Sequence, residues 1–141
     1  MAKLKVPGLI IHCSATPENV WFDIDDIDEW HKKRGWKGCG YHFVIGLNGE
    51  IWKGREVGED GAHAKHFNDW VGICYIGGTD MDGQPADTRT NDQRASLADL
   101  VHSFSLVFGH LPVIGHRDLP NVKKACPCFD VRAEFEEYWT G

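Results

Sequence analysis

Short apolar segments of strand length alternate with helical patterns along this chain, and the alternation limits the folds that it can adopt. The apolar runs occupy residues 8–13, 41–47, 50–53, 72–77 and 112–115. Asn48-Gly49 lies between the second and third runs and predicts a tight hairpin, because both central positions of such a turn favour positive φ. The other runs are separated by predicted helices or by segments predicted as loops, at residues 54–69 and 79–89. The chain is therefore predicted to be an α/β protein with a central mixed β-sheet flanked by about three α-helices.

Three segments carry helix signals. Asp23 can cap a helix that runs to about Arg34, since acidic residues fill its first turn, basic residues fill its last turn and Gly35 can end it. Thr90 and Gln93 form the capping box of a longer helix that ends at residue 109. A third helix is predicted to begin after residue 130. The inward faces of these helices comprise Ile24, Ile27, Trp30 and His31 in the first, Leu97, Leu100, Val101, Phe104, Val107 and Phe108 in the second, and Val131, Phe135, Tyr138 and Trp139 in the third.

Length, composition and charge exclude several classes of protein. The 141 residues fit one domain, and we expect residues 1–141 to form a single one. A hydrophobic content of 42% with 26% charged residues is ordinary for a globular protein, and no apolar run approaches the ~20 residues that a membrane span needs. The net charge of -6 argues against a nucleic-acid partner, because such binding depends on clustered Lys and Arg.

The cysteines and the N-terminus indicate a compartment. The five cysteines are an odd number, scattered along the chain, and do not form a disulfide framework, so reduced thiols are expected. The apolar segment at residues 8–11 is far too short for the core of a signal peptide. We therefore expect a protein that resides in the cytoplasm.

Two histidines and a pair of cysteines carry the strongest chemical signal. His12 lies near the end of the apolar run 8–13, His116 directly follows the run 112–115, and the segment Cys126-Pro127-Cys128 lies further along the chain. Imidazole and thiolate are ligands that Zn²⁺ prefers. Three ligands from distant segments, unlike the short paired loops of a structural zinc site, leave a coordination position open for water. The pattern predicts a zinc hydrolase.

Each of these residues also has a purely structural interpretation. A single histidine at the end of an apolar strand can be a hydrogen-bonded core residue, and a free cysteine usually behaves as a small buried hydrophobe. The combination of two such histidines with a Cys-Pro-Cys segment favours the metal. Cys126 and Cys128 point to the same side of an extended chain, so spacing alone does not choose between them. Core positions are predicted for the other three cysteines, Cys13, Cys39 and Cys74.

Four further residues are candidates for the site. Lys124 lies two positions before Cys126 and would face the same cavity, where an ammonium can stabilise an oxyanion or supply a proton; the alternative is a solvated loop charge. The Tyr41 hydroxyl could bond an intermediate, although most strand tyrosines simply pack. His63 and His66 lie in a Gly-rich loop of the kind that borders active sites, and the alternative is exposure to solvent.

These residues also carry a resemblance to a known family, which extends from about residue 9 to residue 131. The chain resembles the zinc-dependent N-acetylmuramoyl-L-alanine amidases of the peptidoglycan-recognition and amidase-2 superfamily, and it is most similar to the short bacteriophage-lysozyme type. The motifs that carry the resemblance are Ile11-His12-Cys13-Ser14-Ala15-Thr16, Gly40-Tyr41-His42-Phe43, Gly49, Gly54-Arg55, His63-Ala64-Lys65, Asn68, Gly72-Ile73-Cys74, Gly77-Gly78, Gly115-His116, Lys124-Ala125-Cys126-Pro127 and Phe129-Asp130.

The resemblance assigns roles by position. It implies His12, His116 and Cys126 as zinc ligands, Tyr41 and Lys124 as catalytic residues, and a mixed sheet flanked by helices. It also resolves the choice between the two neighbouring cysteines. Such proteins more often have Ser or Gly where this chain has its second cysteine, so the extra thiol is a departure from the family pattern.

The implied reaction is hydrolysis of the amide that joins the lactyl group of N-acetylmuramic acid to L-alanine of the peptidoglycan stem peptide. Zinc would lower the pKa of its bound water to about 7 and polarise the carbonyl. Tyr41 and Lys124 would stabilise the oxyanion or help to protonate the leaving amine. The general base is left open between the zinc-bound hydroxide and Tyr41.

The resemblance also suggests alternatives and partners. A module that binds muropeptide without cutting it would lack the cysteine ligand, and Cys126 is present. A second alternative is an inhibitory partner of a phage RNA polymerase, since relatives of the phage-lysozyme type bind one. We expect a monomer that stays in the cytoplasm until it is released or delivered to the cell wall.

Overall fold

The sheet at the centre of the molecule is mixed, as the sequence predicts. The computed structural model describes residues 4–138. Its strands are β1 (Leu9–Cys13), β2 (Thr16–Pro17), β3 (Phe43–Ile45), β4 (Ile51–Lys53), β5 (Val71–Tyr75), β6 (Gly78–Thr79) and β7 (Val113–Gly115). Five of them form one sheet in the order β4-β3-β5-β1-β7. The predicted hairpin pairs β3 with β4 antiparallel, and the other three pairs are parallel.

Three helices flank the sheet, each where the sequence predicts a helix start. They are α1 (Ile24–Lys33), α2 (Asn91–Phe108) and α3 (Val131–Glu134). The Asp23 carboxylate accepts the first free N–H groups of α1, and the Thr90 hydroxyl accepts the Gln93 N–H at 3.1 Å. Side-chain caps of this kind are each worth about 1 kcal/mol. None of the helices in the described part of the chain has the length and apolar character needed to cross a bilayer.

The two faces of the sheet bury different side chains, because successive residues of a strand point to opposite sides. Helices α2 and α3 cover one face through Leu97, Val101, Phe104, Val131 and Phe135, which pack on Leu9, Ile11, Val71, Ile73 and Tyr75 of β1 and β5. Helix α1 covers the other face, where Ile27 packs with Val44, Cys74 and Ile76. Along β1, Ile10 and His12 alternate with Leu9 and Ile11, which face α2 and α3. The His12 side chain therefore lies on the α1 side of the sheet.

One small sheet was not predicted. β2 and β6 pair in parallel, with Thr16 opposite Gly78. Neither strand is longer than two residues, and β6 overlaps the start of the segment 79–89, which the sequence predicts as a loop. Such short strands carry no periodicity of their own, so only the tertiary pairing defines them.

The helix ends also differ in part from the prediction. α3 spans four residues and passes into a 3₁₀ turn, Glu136–Tyr138, so it is shorter than the predicted third helix. Val131 and Phe135 are buried and Tyr138 packs against the same cluster, as predicted; the prediction for Trp139 falls outside the described residues. In α2, Val107 was predicted to face the core and is 72% exposed, because it lies at the edge of the apolar stripe in the last turn.

Candidate metal centre

Two neighbouring parallel strands place His12 and His116 side by side. His12 is the fourth residue of β1, and His116 follows β7 directly as the first residue of a 3₁₀ turn. β1 and β7 pair in parallel, so their C-terminal ends meet at the same edge of the sheet. The centroids of the two imidazole rings are 4.6 Å apart.

Cys126 reaches this edge on the loop that follows the turn. The Arg117 N–H donates to the Cys126 carbonyl at 2.9 Å, which ties the loop to the histidine turn. The buried Tyr75 hydroxyl donates to the Pro127 carbonyl at 2.6 Å and anchors the loop to β5. The Cys13 N–H points at the Cys126 sulfur at 3.2 Å. Backbone and side-chain contacts from three elements thus hold the thiol beside β1.

The three side chains fit a zinc ion. Their ligand atoms all lie within 4.8 Å of one another, and His12 Nδ1 is 4.0 Å from Cys126 Sγ. Tetrahedral zinc sets about 3.6 Å between a nitrogen and a sulfur ligand, so a small inward movement of the loop satisfies the geometry. Two imidazoles and one thiolate are also a preferred donor set. Within residues 4–138, this is the one group of three or more His, Cys, Asp or Glu side chains arranged to hold a metal ion.

Burial keeps the two histidines neutral. The pKa of His12 lies well below its usual value because burial disfavours the charged ring, and His63 and His116 add repulsion. The pKa of His116 is lowered by burial and then by the nearby Lys124 ammonium. A neutral imidazole keeps a lone pair available for a metal.

The second thiol of the loop points elsewhere. Cys128 Sγ lies 3.3 Å from the Gly78 carbonyl, to which it donates, and 3.9 Å from Cys13 Sγ. Burial, followed by the neighbouring Cys13, raises the pKa of Cys128 to about 12, which keeps it a thiol. Of the two cysteines that spacing left open, the structure brings Cys126 to the histidines. The three cysteines with predicted core positions are all buried and free: Cys13, Cys39 and Cys74.

Tyr41 and Lys124 both line a cleft of about 500 Å³ that opens over the three ligand candidates. The Tyr41 ring centroid is 5.0 Å from that of His12. Burial raises the pKa of Tyr41 well above its usual value, and nearby thiols, first that of Cys74, raise it further. The hydroxyl therefore remains protonated and is a donor. Lys124 is exposed at the mouth of the cleft. This position is compatible both with a role in the site and with a solvated loop charge.

A second cleft, of about 440 Å³, lies beside α1 and does not hold comparable chemistry. Much of its charge is paired: Asp28 binds Lys32 at 2.9 Å, and Lys37 binds Glu59. The metal-ligating group of residues 4–138 lies in the other cleft. The cleft at the ends of β1 and β7 is therefore the candidate reaction centre.

The two histidines of the Gly-rich loop have different environments. His66 is exposed, whereas His63 turns inward, with Nδ1 2.9 Å from His12 Nε2 and Nε2 2.9 Å from the Trp70 carbonyl. A Cβ on Gly72 would meet the His63 ring at 2.6 Å. A glycine inside an apolar strand often marks a close approach by another group. Gly72 in β5 is therefore the signal in the sequence that could have indicated an inward-facing His63.

Proteins of similar sequence indicate that this chain is an amidase. The amidase-2 family, described as N-acetylmuramoyl-L-alanine amidase, matches residues 2–129. The endolysin of Enterobacteria phage K11 is 36% identical over 123 residues, which cover 86% of this chain and 80% of that protein.

Solved structures share the fold. The N-acetylmuramoyl-L-alanine amidase LysC from Clostridium intestinale superimposes with a TM-score of 0.76 at 27% identity, over 93% of this chain and 85% of that one. A mutant of Drosophila PGRP-LB in complex with tracheal cytotoxin gives a TM-score of 0.75 at 27% identity, over 99% and 86% of the two chains. The chain therefore belongs to the amidase-2 family and hydrolyses the amide bond between N-acetylmuramic acid and L-alanine in bacterial peptidoglycan.

Proposed function

We propose that this amidase is a zinc enzyme in which His12, His116 and Cys126 hold the ion. The observation that carries the proposal is the convergence of their three ligand atoms, from distant segments, within 4.8 Å at the floor of a cleft. Three protein ligands leave the cleft side open for water and the scissile carbonyl. A bound zinc supplies Lewis acidity, which lowers the pKa of a coordinated water to about 7 and polarises the carbonyl.

In this proposal Tyr41 and Lys124 act on the charge that develops during hydrolysis. The protonated Tyr41 hydroxyl, beside the His12 ring, donates to the oxyanion of the tetrahedral intermediate. Its raised pKa favours this donor role over that of general base, which the sequence left open. The Lys124 ammonium stands at the mouth of the same cleft, where it stabilises negative charge or delivers a proton to the leaving amine.

The substrate is peptidoglycan, and the cleft suits its peptide stem. Arg34 and Lys65 line the cleft beside the ligand candidates, and their charges complement the carboxylates of a stem peptide. The related complex of PGRP-LB contains tracheal cytotoxin, a muropeptide. By analogy with the endolysin relatives, we propose that the chain lyses the bacterial cell wall and stays in the cytoplasm until it is released or delivered there.

The expected partners beyond the substrate belong to the same proposal. A monomer suffices for the reaction, because one chain supplies the three ligand candidates together with Tyr41 and Lys124. Binding to a phage RNA polymerase is carried by the resemblance to phage lysozymes alone, and a pull-down with purified polymerase tests it. A module that binds muropeptide without cutting it is disfavoured, because Cys126 is present and lies beside both histidines.

Metal analysis combined with a muropeptide digest tests the proposal. We expect one zinc per chain, loss of activity on chelation and recovery when zinc is added. Mass spectrometry of the digest should show free stem peptides that begin with L-alanine. Full activity in a preparation verified to be free of metal would refute the zinc proposal, and cleavage at a different bond would refute the assigned reaction.

A further inference from the structure

The His63 ring lies between a ligand candidate and a backbone carbonyl. Its Nδ1 is 2.9 Å from His12 Nε2, and its Nε2 is 2.9 Å from the Trp70 oxygen. His12 uses its other nitrogen, Nδ1, to face Cys126 Sγ at 4.0 Å. A continuous chain of groups therefore runs from the Trp70 carbonyl through two imidazoles to the candidate metal position.

The carbonyl at one end of this chain fixes the position of every proton in it. A carbonyl oxygen only accepts hydrogen bonds, so Nε2 of His63 must carry the proton. In the neutral ring the Nδ1 of His63 is then bare and accepts, which requires Nε2 of His12 to donate. Neutral His12 consequently has no proton on Nδ1. The lone pair that remains is the one that points toward Cys126 and His116.

We infer that His63 is a positioning residue for the metal centre: it selects the His12 tautomer with the proton on Nε2 and orients the ring so that Nδ1 binds the ion. The inference rests on the proposed zinc site. Outer-sphere partners of metal-binding histidines commonly act in this way, and their loss typically costs about 10- to 100-fold in metal affinity. His63 itself makes no bond to the ion and takes no part in the chemistry.

The surroundings of His63 form a slot that fits its ring. A Cβ on Gly72 would lie 2.6 Å from the ring, and a Cβ on Gly61 would lie 2.5 Å from its Cδ2. The Asn68 side-chain oxygen accepts the N–H groups of His63 and Ala64 at 2.8 and 2.9 Å, which fixes the loop that carries the histidine. The slot therefore accepts the ring only because two glycines leave room for it.

The proton positions can be read without any substitution. In the zinc-free full-length chain, nitrogen NMR of the labelled imidazoles should show His12 and His63 with a proton on Nε2 and none on Nδ1. Addition of zinc should shift the Nδ1 resonance of His12 and leave the Nε2 proton in place. A proton on Nδ1 of His12 would overturn the inference even if the chain binds zinc.

Zinc affinity in three variants gives an independent test, measured by competition with a chromophoric chelator. His63→Ala should weaken binding by about 10- to 100-fold. Gly72→Ala, which displaces the ring through its new methyl group, should weaken binding by a similar factor. The double variant should be no weaker than His63→Ala alone, because the methyl group then has no ring to displace.

A matched control is His66→Asn, which removes the other histidine of the same loop and keeps a residue type that tolerates the positive φ at this position. His66 is exposed, so its loss should leave zinc affinity within about two-fold. Unchanged affinity in His63→Ala would overturn the inference while leaving the zinc proposal intact. No zinc binding by the wild-type chain would instead refute the zinc proposal, and the tautomer measurement would still decide the position of the proton.

Discussion

Two polar clusters in the described part of the chain, the Arg89 cluster and the histidine cluster around His12, differ in how completely their side chains are satisfied. On the α2 side, the Arg89 side chain is 1% exposed and makes four hydrogen bonds of 2.7–3.0 Å to Asp87 and Glu134. Its guanidinium also lies 3.4 Å above the Phe129 ring. On the α1 side, His12 makes one short hydrogen bond, of 2.9 Å to His63, and its other ring nitrogen makes only a long contact of 4.0 Å with the Cys126 sulfur.

The difference separates stability from function. In the Arg89 cluster every charge meets an opposite charge inside the chain, so nothing further is needed to compensate burial. In the histidine cluster two imidazoles and a thiol bring their ligand atoms within 4.8 Å of one another, an arrangement that a cation from outside would complete. The first cluster should therefore control folding and the second metal binding and catalysis. Four predictions follow from this contrast, in order of expected effect.

Cys126→Ser should abolish the function of the histidine cluster. We expect it to lose zinc and to lower turnover by about 10³-fold or more, because the thiolate ligand and the Lewis acid disappear together. Zinc content and kcat on a defined muropeptide are the measurements. Cys128→Ser is the matched control and should keep both, since its sulfur faces Gly78. The reverse pattern in the two variants would show that the other thiol is the ligand.

Tyr41→Phe and Lys124→Ala should each lower kcat by about 10²- to 10³-fold, the usual cost of losing one preorganised donor to an oxyanion. Zinc content should not change, and muropeptide Kd should change little, because the lost interaction forms mainly in the transition state. The three quantities should be measured on the same preparations. Near-normal turnover, or a loss that weaker substrate binding explains entirely, would contradict the catalytic roles.

Arg89→Ala should destabilise the chain by about 3 kcal/mol without changing zinc affinity. This is the lower end of the range for breaking a buried ion pair, because the Glu134 carboxylate is 36% exposed and can be hydrated once its partner is removed. Urea unfolding measures the change. Arg94→Ala removes a 46% exposed cation from the same Asp87 and should cost only about 0–1 kcal/mol. Equal losses in the two variants would argue against a special role for burial.

Acid should destabilise the zinc-free chain through its buried histidines. Burial, with a smaller effect of Arg55, lowers the pKa of His42 to about 4. Between about pH 6.5 and pH 4, His42 is protonated in the unfolded chain and stays neutral in the folded chain. The free energy of unfolding therefore falls as pH falls, by up to about 1.4 kcal/mol per pH unit for each such group.

Urea unfolding between pH 5 and pH 7 measures this slope. His42→Gln should flatten it, whereas His102→Gln, at an exposed position on α2, should leave it unchanged. An identical slope in wild type and His42→Gln would mean that His42 does not carry the acid sensitivity.

The histidine cluster was more predictable from the sequence than the Arg89 cluster. His12 lies near the end of an apolar strand, His116 directly follows one, and Cys126 lies in a distinctive Cys-Pro-Cys segment, so local patterns predict these candidates before any fold is known. Arg89 lies in a segment predicted only as a loop, and its partner Glu134 is 45 positions away. No local pattern predicts such a pairing, because the tertiary fold alone brings the two side chains together.

The same reason explains the remaining differences in the fold. The hairpin at Asn48-Gly49 and the capped helices depend on neighbouring residues, and the sequence predicts them correctly. The two-residue strands β2 and β6 and the early end of α3 depend on contacts with distant segments. His63 combines both cases. The sequence predicts that it lies in a loop that borders the site, but its inward orientation depends on the space that Gly72 leaves for its ring.

Anomalous diffraction at the zinc absorption edge, from crystals of the zinc-loaded wild-type chain, would locate the metal directly. We expect one strong peak within bonding distance of His12 Nδ1, a His116 ring nitrogen and Cys126 Sγ, about 2.0–2.1 Å from the nitrogens and about 2.3 Å from the sulfur. A peak bound by Cys128, or no peak at the ends of β1 and β7, would contradict the proposed zinc site.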